Sequence, residues 1–155
     1  SVLMALIILY MLTVFVGREP VYIAHARGHE QAVAHSLAAA FEEAGRATGL
    51  PARLLLVVAY SETGFNGSMV GKIGERGVMQ MNPRCRAGAD YAAKCPRQSS
   101  ACDTWSVHLG AQVLARCLEQ CGTYGMAVGC YKSGRCVEGP AARHVLALWR
   151  WAESS

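Results

Sequence analysis

The chain is 155 residues long, 52% hydrophobic and 17% charged, with a formal net charge of +4. That is one domain's worth of sequence, apolar enough for a sizeable core, and without internal repeats or low-complexity tracts, which excludes a repeat array. The mild positive charge suits an anionic partner and does not choose among nucleic acid, cell wall and anionic lipid.

In chain order, the hydrophobic excess comes first. Residues 1–16, SVLMALIILYMLTVFV, hold no charged side chain and are followed by GREP, with Pro20 as a stop. The run reads either as the core of a signal peptide with a small-x-small site, AHA, at 24–26, or as a membrane anchor. About 17 uncharged residues at about 1.5 Å each span roughly 25 Å, at the short end for a bilayer. No Lys or Arg precedes the run, and the expectation is a retained segment over residues 1–20 that meets the membrane through residues 2–16. A linker at 21–29 and one domain at 30–155 follow. His25 and His29, with Glu30, read as a basic juxtamembrane stretch rather than a metal motif.

The domain's first helix is predicted over Glu30–Ala47, where Val33, Leu37, Ala40, Phe41 and Ala44 recur at helical spacing before Gly49. Pro51 opens a second, ARLLLVVAYSET, so apolar that it must be buried. Five glycines between 64 and 77 mark a turn-rich loop. VMQM reads as a short helical turn ended by Pro83, and 84–102 as a polar loop. Asp103 is a fair N-cap for a third long helix, TWSVHLGAQVLARCLEQC, stopped by Gly122. GMAVGCYKSG adds a short helix and turn, and GPAARHVLALWRWA a closing amphipathic helix. Nothing alternates with period two for long, so the fold class is all-α, with at most a minimal β element.

Seven cysteines (Cys85, Cys95, Cys102, Cys117, Cys121, Cys130 and Cys136) lie in the C-terminal half. None forms a C-x-x-C pair or a zinc-finger set, so disulfides in an oxidising compartment are expected rather than a structural metal. Cys117 and Cys121 stand four apart on one helix and are expected to bond elsewhere. The odd count leaves at least one thiol free or paired between chains.

Three separated pieces need one explanation: SETGF at 61–65, GERGVMQMNP at 74–83 and AVGCYKSG at 127–134. Together they resemble the lysozyme-like lytic transglycosylase family, the catalytic domain of soluble lytic murein transglycosylases and their phage and secretion-system relatives. That family shows a Glu followed by Ser or Thr, one residue and Phe, then G-x-x-G-L-M-Q-x-x-P, then A-Y-N-x-G. Glu62 to Phe65 match the first motif, Gly74 to Pro83 the second with Val78 in the usual Leu position, and Tyr131 to Gly134 the third with Lys132 in place of Asn. The resemblance covers about residues 48–150.

The chemistry gives these residue types a reason. Cleaving a β-1,4 glycosidic bond requires an acid that protonates the departing oxygen, and a carboxyl does so at neutral pH only where its surroundings favour the protonated form. Glu62, after LLLVVAY, is placed for that desolvation. Most glycosidases use a second carboxylate; the only acid nearby in sequence is Glu75, beside Arg76, expected to be solvated or salt-bridged. The resemblance implies a one-carboxylate route between MurNAc and GlcNAc of peptidoglycan: Glu62 donates a proton, then takes one from the C6 hydroxyl, leaving a 1,6-anhydro sugar. It implies no metal, no cofactor and no nucleic-acid partner. It also implies that Tyr131 hydrogen-bonds Glu62, that Gln80 and Met79 line the sugar cleft, and that Thr63 holds the loop or the substrate; Phe65 reads as core. The expected setting is a membrane-anchored enzyme in the periplasm or cell envelope that opens the wall for a secretion machine, or a phage virion. A hydrolytic muramidase on the same fold, and a structural protein of an envelope machine or virion that has lost catalysis, are the alternatives.

Overall fold

The computed structural model describes residues 28–154, with side chains from Ser36 onward. The apolar run, the AHA site and residues 21–27 of the linker lie outside the described residues. Among the described residues no helix is long and apolar enough to cross a membrane.

Helix α1 (Gly28–Thr48) begins two residues before the predicted start. Leu37, Ala40, Phe41 and Ala44 form its buried stripe, at the expected spacing. It stops where Gly49 takes a left-handed φ of 76° and donates to the Gly45 carbonyl. Helix α2 (Ala52–Thr63) follows after Pro51. Six consecutive residues, Leu54 to Ala59, have 0% exposure. A helix buried on every side must be packed on every side, and α1 and the C-terminal helix both lie against it. Gly64, at φ 57°, ends α2 by donating to Tyr60. Phe65 is core, with its ring 5.6 Å from Tyr60 and 6.3 Å from Phe41.

Residues 66–81 supply the minimal β element as two antiparallel bridges, Val70 with Arg76 and Arg76 with Met81. The predicted loop at 84–102 contains a helix, α3 (Arg86–Lys94). Its apolar signal is too short to read in sequence: buried Tyr91 is the large anchor, and Gly88 lies against the Asn82 backbone, where a side chain would collide.

Helix α4 (Ser100–Cys121) is capped by Ser99, whose hydroxyl accepts from the Cys102 amide, and not by Asp103. Asp103 instead lies in the first turn with 5% exposure. The helix starts earlier than its apolar periodicity because the Cys95–Cys102 bridge ties its first turn to the end of α3. Helices α5 (Tyr124–Ser133), capped by Thr123, and α6 (Pro140–Ser154) complete the domain. Helix α4 packs on α1 and α5, and α6 on α2 and α5. Cys117–Cys130 and Cys121–Cys136 staple α4 to α5 and to the turn beyond it, so Cys117 and Cys121 do bond elsewhere. Cys85 is the free, exposed thiol. The result is a mostly helical domain with a minimal β element.

Candidate active site

A cleft of about 510 Å³ opens where the end of α2, the loop 73–85, the middle of α4 and the end of α5 converge. Glu62, Gln80 and Tyr131, far apart in sequence, all line it. A larger depression of about 690 Å³ lies between the α1–α2 turn and the end of α6. It holds the paired Arg53 and Glu153, 3.3 Å apart, and no arrangement for chemistry. The smaller cleft, where the motif residues converge, is the candidate site.

Glu62 projects from the last turn of α2, and its side chain is 17% exposed. A carboxylate at the C-terminal end of a helix meets the negative end of the backbone dipoles, an unfavourable place for an isolated anion. The fold answers with Lys132, whose ammonium donates to Glu62 Oε1 at 2.8 Å. Lys132 Nζ also donates to Ser61 Oγ at 3.2 Å, and that hydroxyl donates onward to the Val58 carbonyl at 2.8 Å. Glu62 is therefore not simply a carboxyl kept dry by apolar neighbours; it is one half of an ion pair at the mouth of a cleft. In the sequence, Lys132 is marked only by its departure from the tyrosine motif. Its role became legible once α5 was laid beside the end of α2.

Tyr131 differs from the expectation as well. Its hydroxyl donates to the Met79 carbonyl, 2.5 Å away, rather than to Glu62. Burial, and next the negative charge of Glu62, push the Tyr131 hydroxyl well above its usual titration range. Tyr131 is thus near enough to Glu62 to feel its charge, while its hydrogen bond braces the Gly77–Gln80 turn.

That turn is held from several sides. The Arg76–Met81 pair closes it, with Gly77 at φ 82° and Gln80 at φ 52°. Left-handed backbone at a non-glycine residue is uncommon and strained. Gln80 Nε2 donates to the Met69 and Gly77 carbonyls, 3.1 Å each, which fixes the amide at the cleft wall. Met79 has 0% exposure; its amide donates to Ser106 Oγ at 3.1 Å, and its side chain lies where a Cβ on Gly110 would be. Thr63 is also buried, and its hydroxyl reaches the Val78 carbonyl at 2.8 Å. Met79 and Thr63 therefore stand behind the cleft wall, with Thr63 tying α2 to the turn.

Glu75, expected to be solvated or salt-bridged, also lines the cleft. Its Oε2 accepts from the Ile73 amide at 3.0 Å, a bond within its own loop. Asn82, at a variable position of the second motif, and Arg84, just beyond it, add to the polar lining. Among the described residues, no group of three or more His, Cys, Asp or Glu side chains is arranged to hold a metal ion.

The family described as the transglycosylase SLT domain matches residues 39–144. No curated protein and no solved structure gives a match.

Proposed function

The chain belongs to the transglycosylase SLT domain family, whose domain indicates lytic cleavage of peptidoglycan, and from that premise we propose that Glu62 is its single acid/base. The observation that carries the proposal is Glu62 itself: a mostly enclosed carboxylate at the end of the most buried helix, opening on the cleft bounded by the Gln80 turn and Tyr131. In the proposed reaction, protonated Glu62 gives its proton to the oxygen between MurNAc C1 and GlcNAc C4 as that bond breaks. The electrons of the bond leave with the oxygen, and positive charge develops on C1. The substrate's N-acetyl group supports that charge where a second carboxylate would otherwise stand. The MurNAc C6 hydroxyl then bonds to C1 and returns its proton to Glu62, leaving a 1,6-anhydro end and consuming no water. Gln80 orients sugar at the wall, Thr63 and Met79 hold that wall from behind, and Tyr131 braces the turn. The proposed setting is the cell envelope, with residues 2–16 as the membrane contact and local wall opening for a secretion machine or a phage as the use.

One observation favours a second reading. Glu75 lies on the same cleft, and a hydrolytic muramidase would use it to activate water. Its bond to the Ile73 amide commits one oxygen to the loop, which favours the first reading. Mass spectrometry of the muropeptides released from purified peptidoglycan separates the two. The parent protein should release anhydro ends, Glu62→Gln should release none, and Glu75→Gln should still release them. Reducing ends that vanish in Glu75→Gln would establish hydrolysis; a Glu62→Gln protein as active as the parent would remove Glu62 from both mechanisms.

A further inference from the structure

We infer that Lys132 stores the proton that Glu62 delivers. The open cleft holds the two side chains as ammonium and carboxylate; when sugar fills it, the proton passes from Lys132 Nζ to Glu62 Oε1. The inference deepens the proposed function and rests on Glu62 being the acid.

Three observations lead to it. First, the contact is direct: Nζ lies 2.8 Å from Oε1, within proton-transfer reach. Second, the ammonium is held in place. Ser61 Oγ uses its own proton on the Val58 carbonyl, so toward Lys132 it can only accept, at 3.2 Å. Third, both side chains are already mostly enclosed, Lys132 at 18% and Glu62 at 17% exposure, and both line the cleft that the substrate must occupy. A bound glycan strand therefore displaces water from the pair.

The other groups on the cleft do not compete for this role. Glu75 is bonded within the glycine-rich loop, Arg84 is exposed and does not release a proton, and Cys85 is an exposed thiol ahead of α3. Tyr131, the neighbour of Lys132 on α5, donates to Met79. From α4 the cleft receives Val113 and the disulfide-bonded Cys117, neither of which titrates. Among the described residues, Lys132 is the cation in contact with Glu62.

The magnitudes explain why water must leave first. In water an amine holds its proton over a carboxylate by about 6 pH units. Full burial moves each kind of group by up to about 3–5 units toward the other, because both charged forms lose hydration. Only a closed, dry cleft brings the transfer within reach. The step then balances. The Nζ–H bond breaks and the Oε1–H bond forms, giving a neutral amine that accepts from the new hydroxyl and still donates to Ser61 Oγ. Glu62 spends the proton on the glycosidic oxygen and regains one from the C6 hydroxyl. When product leaves and water returns, that proton passes back to Nζ. The pair enters and leaves the cycle with the same number of protons. An asparagine at this position, as the family motif usually has, would leave Glu62 to take its proton from solvent.

Arginine provides the test, since it keeps the charge and the pairing but does not give up a proton. Anhydro-end release from purified peptidoglycan is measured from pH 5 to 9 for the parent, Lys132→Arg, Lys132→Met and Glu62→Gln, with thermal unfolding of each. Lys132→Gln replaces any Lys132→Met protein that does not fold. The expected order is unusual: Lys132→Arg falls at least about 30-fold below Lys132→Met at pH 5.5, because the guanidinium still pairs with the carboxylate but gives up no proton. Lys132→Met should keep activity in acid and lose it at lower pH than the parent, about tenfold per unit beyond the bend, because no neighbouring ammonium then supplies the proton. Two results overturn the inference: Lys132→Arg as active as the parent, or an alkaline limb in Lys132→Met that moves to higher pH, which would make Lys132 a counter-ion only. A Glu62→Gln protein that still releases anhydro ends sinks the single-glutamate reading instead.

Discussion

Replacing Tyr131 by Phe removes one oxygen and keeps the ring, so it isolates the bond that ties α5 to the Gln80 turn. The acceptor is the carbonyl of Met79, a residue with 0% exposure, and the donor hydroxyl is 2.5 Å away. Leaving a buried acceptor unpaired costs about 1–3 kcal/mol. For a domain of this size each kcal/mol moves Tm by about 2–4 °C, so Tyr131→Phe should melt about 2–12 °C below the parent at pH 7. A second signature comes from titration. Burial raises the Tyr131 hydroxyl well above its ordinary value, with Glu62 adding to the shift. A group raised in the folded state contributes stability that is complete below its unfolded value and is lost as pH climbs toward the folded value. The parent should therefore lose stability from about pH 10 upward through this residue, and Tyr131→Phe should lack that part of the decline. Denaturant unfolding at pH 7, 9 and 10.5, followed by circular dichroism, reads both effects. Equal stability at pH 7 with parallel decline above pH 10 would refute the reasoning, because it would mean that the hydroxyl is neither buried nor bonded.

Two further outcomes follow from other parts of the fold. Asp103 is buried, its Oδ2 accepts from Gln98 at 2.8 Å, and its Oδ1 has no partner among the described residues. Burial raises its carboxyl above the usual range, opposed by the Gln98 bond, so its contribution is full in acid and is lost as pH rises through the raised value. Asp103→Asn should therefore flatten the stability profile from about pH 4 upward, measured by urea midpoints; an unchanged slope would contradict this. Replacing Cys117 and Cys130 together by Ala opens a 13-residue separation, which the chain-entropy account values at about 3 kcal/mol. The double variant should melt well below the parent and cleave peptidoglycan more slowly, because the bridge holds α5 against α4 beside Tyr131 and Lys132; an unchanged Tm would mean that packing alone fixes α5.

Much of the architecture is legible in the sequence because it is local. Helix α2 announces itself through its apolar run between Pro51 and Gly64, and α1 through the spacing of Leu37, Ala40, Phe41 and Ala44. Gly122 and Gly134 stop their helices by the same left-handed turn. The features that differ from the sequence-based expectation depend on single contacts. Helix α3 is anchored largely by Tyr91, and α4 starts at a Ser99 cap whose strength rests on one hydrogen bond to Cys102. The Glu62, Gln80 and Tyr131 motifs gave the family because residue types and intervals are carried in the chain itself.

The pairings inside the site were decided by tertiary structure. Lys132 and Glu62 are 70 residues apart and Tyr131 and Met79 are 52, and no local spacing relates them. They meet because the disulfides and the packing of α4 against α5 bring the last turn of α5 to the last turn of α2 and to the Gln80 turn. The sequence alone determined that one carboxylate would close the buried helix, because burial and periodicity are properties of neighbouring residues. Its partner could only be settled by the fold, since an ion pair forms wherever packing leaves two charges within reach, and here packing chose Lys132.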